Sequence, residues 1–75
     1  MIVHGRDTFD FRSTIDFQFG SSSTELLLEK LGQWKVVAKI TYWDAMGQYI
    51  LEFSEQVPVE VIQALIEKAK ENNEG

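Results

Sequence analysis

Apolar and polar residues alternate almost without error from Phe9 to Phe19, with Phe9, Phe11, Ile15, Phe17 and Phe19 on one parity and Asp10, Arg12, Thr14, Asp16 and Gln18 on the other. Successive side chains of a strand point to opposite faces, so the segment predicts a half-buried β-strand. Ser13 is the polar exception on the apolar parity and predicts a bulge or bend, because the run is longer than strands usually are.

After the loop residues Gly20-Ser21-Ser22-Ser23, the segment 24–31 (Thr24-Glu25-Leu26-Leu27-Leu28-Glu29-Lys30-Leu31) fits both a helix and a strand. A short helix is the favoured reading. Ser22 would cap it, with Glu25 three residues on, and Gly32 would supply the left-handed residue after its end. Leucine, glutamate and lysine prefer helix, and leucines on both parities fit a one-faced strand poorly.

A second alternating run, Trp34 to Trp43, carries Trp34, Val36, Ala38, Ile40 and Tyr42 on one face and Lys35, Val37, Lys39, Thr41 and Trp43 on the other. Gln48 to Ser54 is its expected partner. The residues between them, Asp44-Ala45-Met46-Gly47, have Asp and Gly at the ends of a type I turn. A slip of one residue would move every apolar side chain to the wrong face, so the loop must have even length. A four-residue loop sets Trp43 against Gln48, Tyr42 against Tyr49, Ile40 against Leu51 and Ala38 against Phe53. It also sets Lys39 against Glu52, a favourable cross-strand pair.

The last element, Pro58 to Asn72, is an amphipathic helix: Ile62, Leu65, Ile66 and Ala69 recur at helical spacing, Val61 widens the stripe, and Pro58 suits the first turn. These elements predict an α+β fold, a three- to four-stranded, largely antiparallel sheet with this C-terminal helix packed on one face, in the order β-α-β-β-α. A four-strand meander followed by a helix is the alternative. The helix stripe is expected to cover Val36, Ala38, Ile40, Tyr42, Tyr49, Leu51 and Phe53.

Composition limits what such a domain can do. Seventy-five residues make a single domain, 1–75, with disorder expected only at termini 1–7 and 73–75. A chain of this size buries only about 60% of its unfolded surface, which leaves a thin core and little depth for a pocket. There is no cysteine to brace it, so added stability would come from self-association, and a homodimer is one expected state. No leader or apolar stretch of membrane-spanning length is legible, which predicts a soluble cytoplasmic protein with no membrane partner. Twelve acidic against seven basic side chains give a net charge of −5, which repels phosphate backbones and argues against nucleic acid as a partner.

Candidate chemistry is sparse. One histidine, His4, and no cysteine make no zinc set. Asp7, Asp10 and Asp16 lack the ordered spacing and glycine of a calcium loop. Glu52 and Glu55 have no predicted apolar enclosure to separate their pKa values, and Ser21 to Ser23 lack the context of an activated nucleophile. No catalytic residue, cofactor or metal is therefore expected, and the chain reads as noncatalytic.

The most informative constellation is Lys35, Val37, Lys39 and Trp43, which face the same way as Ile50. If 24–31 is a helix, its leucines cover this face. If 24–31 is a strand, the face stays open to a second copy or another protein. The favoured function is thus a small protein-interaction or regulatory module, self-associating through Val37, Trp43, Ile50, Lys35 and Lys39. The alternative is an acidic inhibitor whose Asp7, Asp10, Asp16, Glu25 and Glu29 mimic nucleic acid and block a basic partner surface.

Overall fold

A computed structural model describes residues 1–16, 18 and 20–74. Phe17 and Phe19, the last apolar positions of the first expected strand, lie outside the described residues, as does Gly75. The described residues form five strands, β1 (Ile2–His4), β2 (Asp7–Asp16), β3 (Ser21–Lys30), β4 (Gln33–Trp43) and β5 (Gln48–Phe53), followed by one helix, α1 (Val59–Glu74). Every neighbouring pair is antiparallel and the strands lie in chain order, so the sheet is a curled five-stranded meander.

This corrects the expected order β-α-β-β-α and the count of three to four strands. Segment 24–31 does not form a helix: residues 24–30 belong to β3, which is hydrogen-bonded on both sides, to β2 from Thr8↔Glu29 to Asp16↔Ser21 and to β4 from Ser21↔Trp43 to Lys30↔Gln33. A central strand can use leucines on both parities. Leu26 and Leu28 are buried toward the helix, and Leu27 is half-buried on the other face beside Val36. Long-range pairing with two neighbours overrides the local helix preference.

The end of that segment is a two-residue hairpin, not a helix cap. Leu31 and Gly32 both take positive φ, 52° and 79°, between the paired residues Lys30 and Gln33. Two consecutive left-handed residues produce the twist that a tight antiparallel hairpin needs.

Two further expectations are revised by the register. Ser13 introduces no bulge, since β2 and β3 pair without a break through Ser13↔Thr24. The irregularity lies between β3 and β4, where Leu26 pairs with Ala38 but Leu27 with Val36. Val37 is the extra residue. It turns into the core beside Ala38 and leaves Val36 on the far face, so the stretch N-terminal to the bulge has its faces exchanged. The β4–β5 hairpin matches the expected register at every pair, including Tyr42↔Tyr49 and Lys39↔Glu52. Its loop is closed by Met46 and Gly47 donating to the Trp43 carbonyl at 3.2 and 2.8 Å.

The helix seats a stripe at four-residue spacing, Val61, Leu65 and Ala69, against Phe9, Leu26, Leu28, Val37, Ala38 and Ile40. Ile62 and Ile66 flank this stripe and are partly buried. At its far end the Asn72 side chain donates to Ser13 Oγ at 2.6 Å and to Thr24 Oγ1 at 3.3 Å, which ties the last turns to β2 and β3. No helix among the described residues is long and apolar enough to cross a membrane.

One helix cannot cover this sheet. Five strands spaced about 4.8 Å apart make a surface roughly 20 Å wide, whereas a helix with its side chains is about 10–12 Å across. α1 lies over β3 and β4, so β5 is left at an uncovered margin.

Candidate interaction surface

The residues expected to form one surface are divided by the bulge in β4. Val37 is 1% exposed and part of the core, so it offers nothing to a partner. Lys35 lies opposite Leu28, on the helix side of the sheet, and donates to Glu55 Oε1 at 2.6 Å. Lys39, Trp43 and Ile50 do share the helix-free face, since Lys39 pairs with Glu52, Trp43 with Gln48, and Ile50 with Thr41 between them. Ile50 is 39% exposed and Trp43 is half-buried.

Across that face runs a transverse row of alternating charge: Arg12 opposite Glu25, Glu25 opposite Lys39, and Lys39 opposite Glu52. Arg12 Nε donates to Glu25 Oε1 at 2.7 Å, and Lys39 Nζ stands 4.0 Å from Glu52 Oε1. The hydrogen bond from Arg12 to Glu25, and then the carboxylate's charge, raise the Arg12 guanidinium pKa further above its ordinary value. Beside the row, Ser23 Oγ and Thr41 Oγ1 approach to 3.0 Å, and Thr41 is buried although no helix covers it. The row thus consumes its charges internally, and an isolated basic stripe for a phosphate backbone is not formed there.

The remaining acidic candidates are spread over the sheet. Asp7 accepts from Lys30 Nζ at 2.9 Å, Asp10 lies 3.7 Å from the terminal ammonium, and His4 Nε2 stands 3.7 Å from Glu60 on α1. Among the described residues no group of three or more histidine or acidic side chains is placed to hold a metal ion.

The residue that sequence reasoning missed is Phe53. It was expected under the helix, but α1 does not reach it and it is 54% exposed, beyond Leu51 on the same face of β5. The helix width set against the strand count was the available signal, and the misread β3 concealed it by removing a strand from the count.

β5 is also an edge. Its only neighbour among the described residues is β4. Ser54 N–H donates to the Val37 carbonyl at 3.0 Å just past the strand's end. Hydrogen-bonded positions alternate along an antiparallel pair, so Glu52 and Ile50 turn their backbone groups toward β4, while Phe53 and Leu51 turn theirs outward. Natural edges are usually blunted by lysine, proline, a bulge or short length. β5, Gln48-Tyr49-Ile50-Leu51-Glu52-Phe53, has six residues, no lysine, no proline and an unbroken register, and its single charged side chain, Glu52, stands 4.0 Å from Lys39 of β4.

Comparisons of the chain with protein-family models, curated proteins and solved structures give no match, so function is argued from this geometry alone.

Proposed function

We propose that this protein is a small noncatalytic interaction module that binds protein through the margin formed by β5 and the neighbouring helix-free face. The observation that carries this reading is an edge strand without lysine, proline or a bulge, with Phe53 exposed on the helix side beyond the reach of α1 and Ile50 exposed on the helix-free face. Edge strands of this kind accept a further strand through main-chain hydrogen bonds, with alternate side chains supplying selectivity. The lack of cysteine lets the fold form without disulfides, which suits the cytoplasm.

The acidic-mimic reading draws less support, because Asp7, Asp10 and Glu25 each stand beside a cation of the same chain. Salt separates the two. Binding of a basic partner by mimicry weakens steeply as salt rises, whereas a β5 contact built on apolar side chains and backbone does not weaken.

The test is photo-crosslinking in the native source from a probe residue at Ile50, compared with one at Gln63 on the exposed side of α1. Protein crosslinks concentrated at Ile50 support the reading. Equal labelling at both positions refutes it.

A further inference from the structure

We infer that the occupant of β5 is β5 of a second copy of this chain, joined about a twofold axis through Leu51 into a continuous ten-stranded sheet. This inference rests on the reading of β5 as the binding margin and names its partner.

Area supplies the first argument. The chain exposes 5335 Å². A monomer of its 8.6 kDa mass is expected to expose roughly 4,700 Å², which leaves roughly 600 Å² in excess. Stable complexes bury about 800 Å² on each partner. The radius of gyration agrees: it is 12.5 Å, against about 11 Å for a compact chain of this length.

Register supplies the second. Directly opposed residues of antiparallel strands share a face, so a twofold axis must pass through a residue, and an axis at Ile50 or Leu51 pairs five of the six residues of β5 whereas any other pairs three or fewer. An axis at Glu52 sets Glu52 against its own copy, like charges directly opposed. An axis at Ile50 carries Phe53 past the strand end to face Gly47. An axis at Leu51 opposes Leu51 to itself and Phe53 to Tyr49 of the second copy on the helix side. On the other face it opposes Ile50 to Glu52, which keeps Lys39 beside it. The outward backbone groups of Leu51 then meet their own copies, and each exposed Phe53 gains an aromatic cross-strand neighbour. The register is self-complementary, as an isologous contact must be.

Charge sets the conditions. Each copy carries −5, so association opposes a mutual repulsion that salt screens. The dimer therefore tightens as salt rises, the opposite of acidic mimicry.

The deciding experiment is sedimentation equilibrium of the full chain from micromolar to millimolar concentration, with hydrogen exchange of the Leu51 and Phe53 amides. The expected result is a reversible dimer in which both amides gain protection as concentration rises. Register is tested by Ile50→Glu and Ile50→Lys. Glutamate there faces Glu52 of the other copy and is expected to weaken association at least tenfold relative to lysine. The same two substitutions at Gln63 measure how much of that difference net charge alone produces, and circular dichroism confirms that each variant folds.

A chain that stays monomeric at millimolar concentration overturns the dimer and leaves β5 as a margin for an unlike partner. A dimer indifferent to Ile50 substitution, with Leu51 and Phe53 amides unprotected, overturns both the dimer and the reading of β5. A tenfold difference reproduced at Gln63 overturns the Leu51 register.

Discussion

The centre of the sheet and its β5 margin are built from similar residues and have opposite fates. Under α1, Phe9, Leu26, Val37, Val61 and Leu65 close into a core with almost no exposure. Only Leu51 of β5 is partly buried against that core, while Ile50 and Phe53 remain at the surface. Hydrophobicity does not separate the two regions. The reach of the helix does: on its own face α1 seals about two strands' width and leaves Phe53 beyond it, and on the opposite face it does not cover Ile50 at all. Stability and binding should therefore respond to different substitutions.

The sharpest test pairs Leu65 with Ile50. Leu65 is 0% exposed at the centre of the helix stripe. Its replacement by aspartate removes a contribution of about 1.5–3 kcal/mol and buries a charge that costs several kcal/mol more, enough to unfold a domain with the usual 5–15 kcal/mol of stability. Loss of amide dispersion in NMR spectra is the expected result. Ile50→Asp, in dilute solution, should leave melting within about 1 kcal/mol of the parent. A Leu65→Asp variant that melts normally, or an Ile50→Asp variant that does not fold, would abolish the distinction between centre and margin.

Val37 carries the same comparison into one strand. Its parity placed it with Ile50, but the bulge placed it in the core. Val37→Ala should lower stability by about 1–2 kcal/mol, while Ile50→Ala should stay within about 0.5 kcal/mol in urea titrations. Equal effects would mean that the bulge does not turn Val37 inward.

How much of this was legible follows from where the determining physics lies. The β4–β5 register was readable because parity and a four-residue turn constrain it locally, and α1 was readable from its period. β3 was not: Leu26, Leu27 and Leu28 satisfy a helix locally, and only pairing with β2 and β4 makes a double-sided strand of them. The bulge left no mark either, since Val36, Val37 and Ala38 are all apolar and any of them can face the core. For the surface, Lys39, Trp43 and Ile50 were grouped as the structure groups them. Val37 and Lys35 were carried away by the bulge, and Phe53 was assigned to a helix too narrow to reach it.

The tight hairpin between β3 and β4 sharpens the comparison from the stabilising side. Leu31 sits at φ 52° and is fully exposed, so its side chain contributes no packing that would offset the left-handed backbone. Asparagine tolerates that conformation far better, and Leu31→Asn should stabilise the fold by about 1 kcal/mol, raising Tm by about 4–8 °C. The gain should appear equally in monomer and dimer, because the turn lies at the opposite end of β4 from the β5 hairpin loop. An unchanged or lowered Tm would show that Leu31 is held by something other than the turn.

The smallest expected effect belongs to the charge row. Arg12 and Glu25 form the shortest pair in it, but the guanidinium is exposed, and exposed pairs contribute little to stability. Arg12→Gln should shift Tm less than any substitution above, and the shift should vanish near 1 M salt, where the screening length is about 3 Å. Its pH dependence has a definite sign. The folded-state pKa of Arg12 is raised by its hydrogen bond to Glu25 and that carboxylate's charge, so whatever the pair contributes on the guanidinium side is fully present below the ordinary arginine range and is lost only as pH rises through the folded-state value. The parent and Arg12→Gln curves should thus run parallel between about pH 6 and 9. Curves that diverge in that window, or a Tm loss that survives high salt, would mean that Arg12 acts through packing on the sheet. The helix-free face would then carry part of the stability that the comparison assigns to the centre.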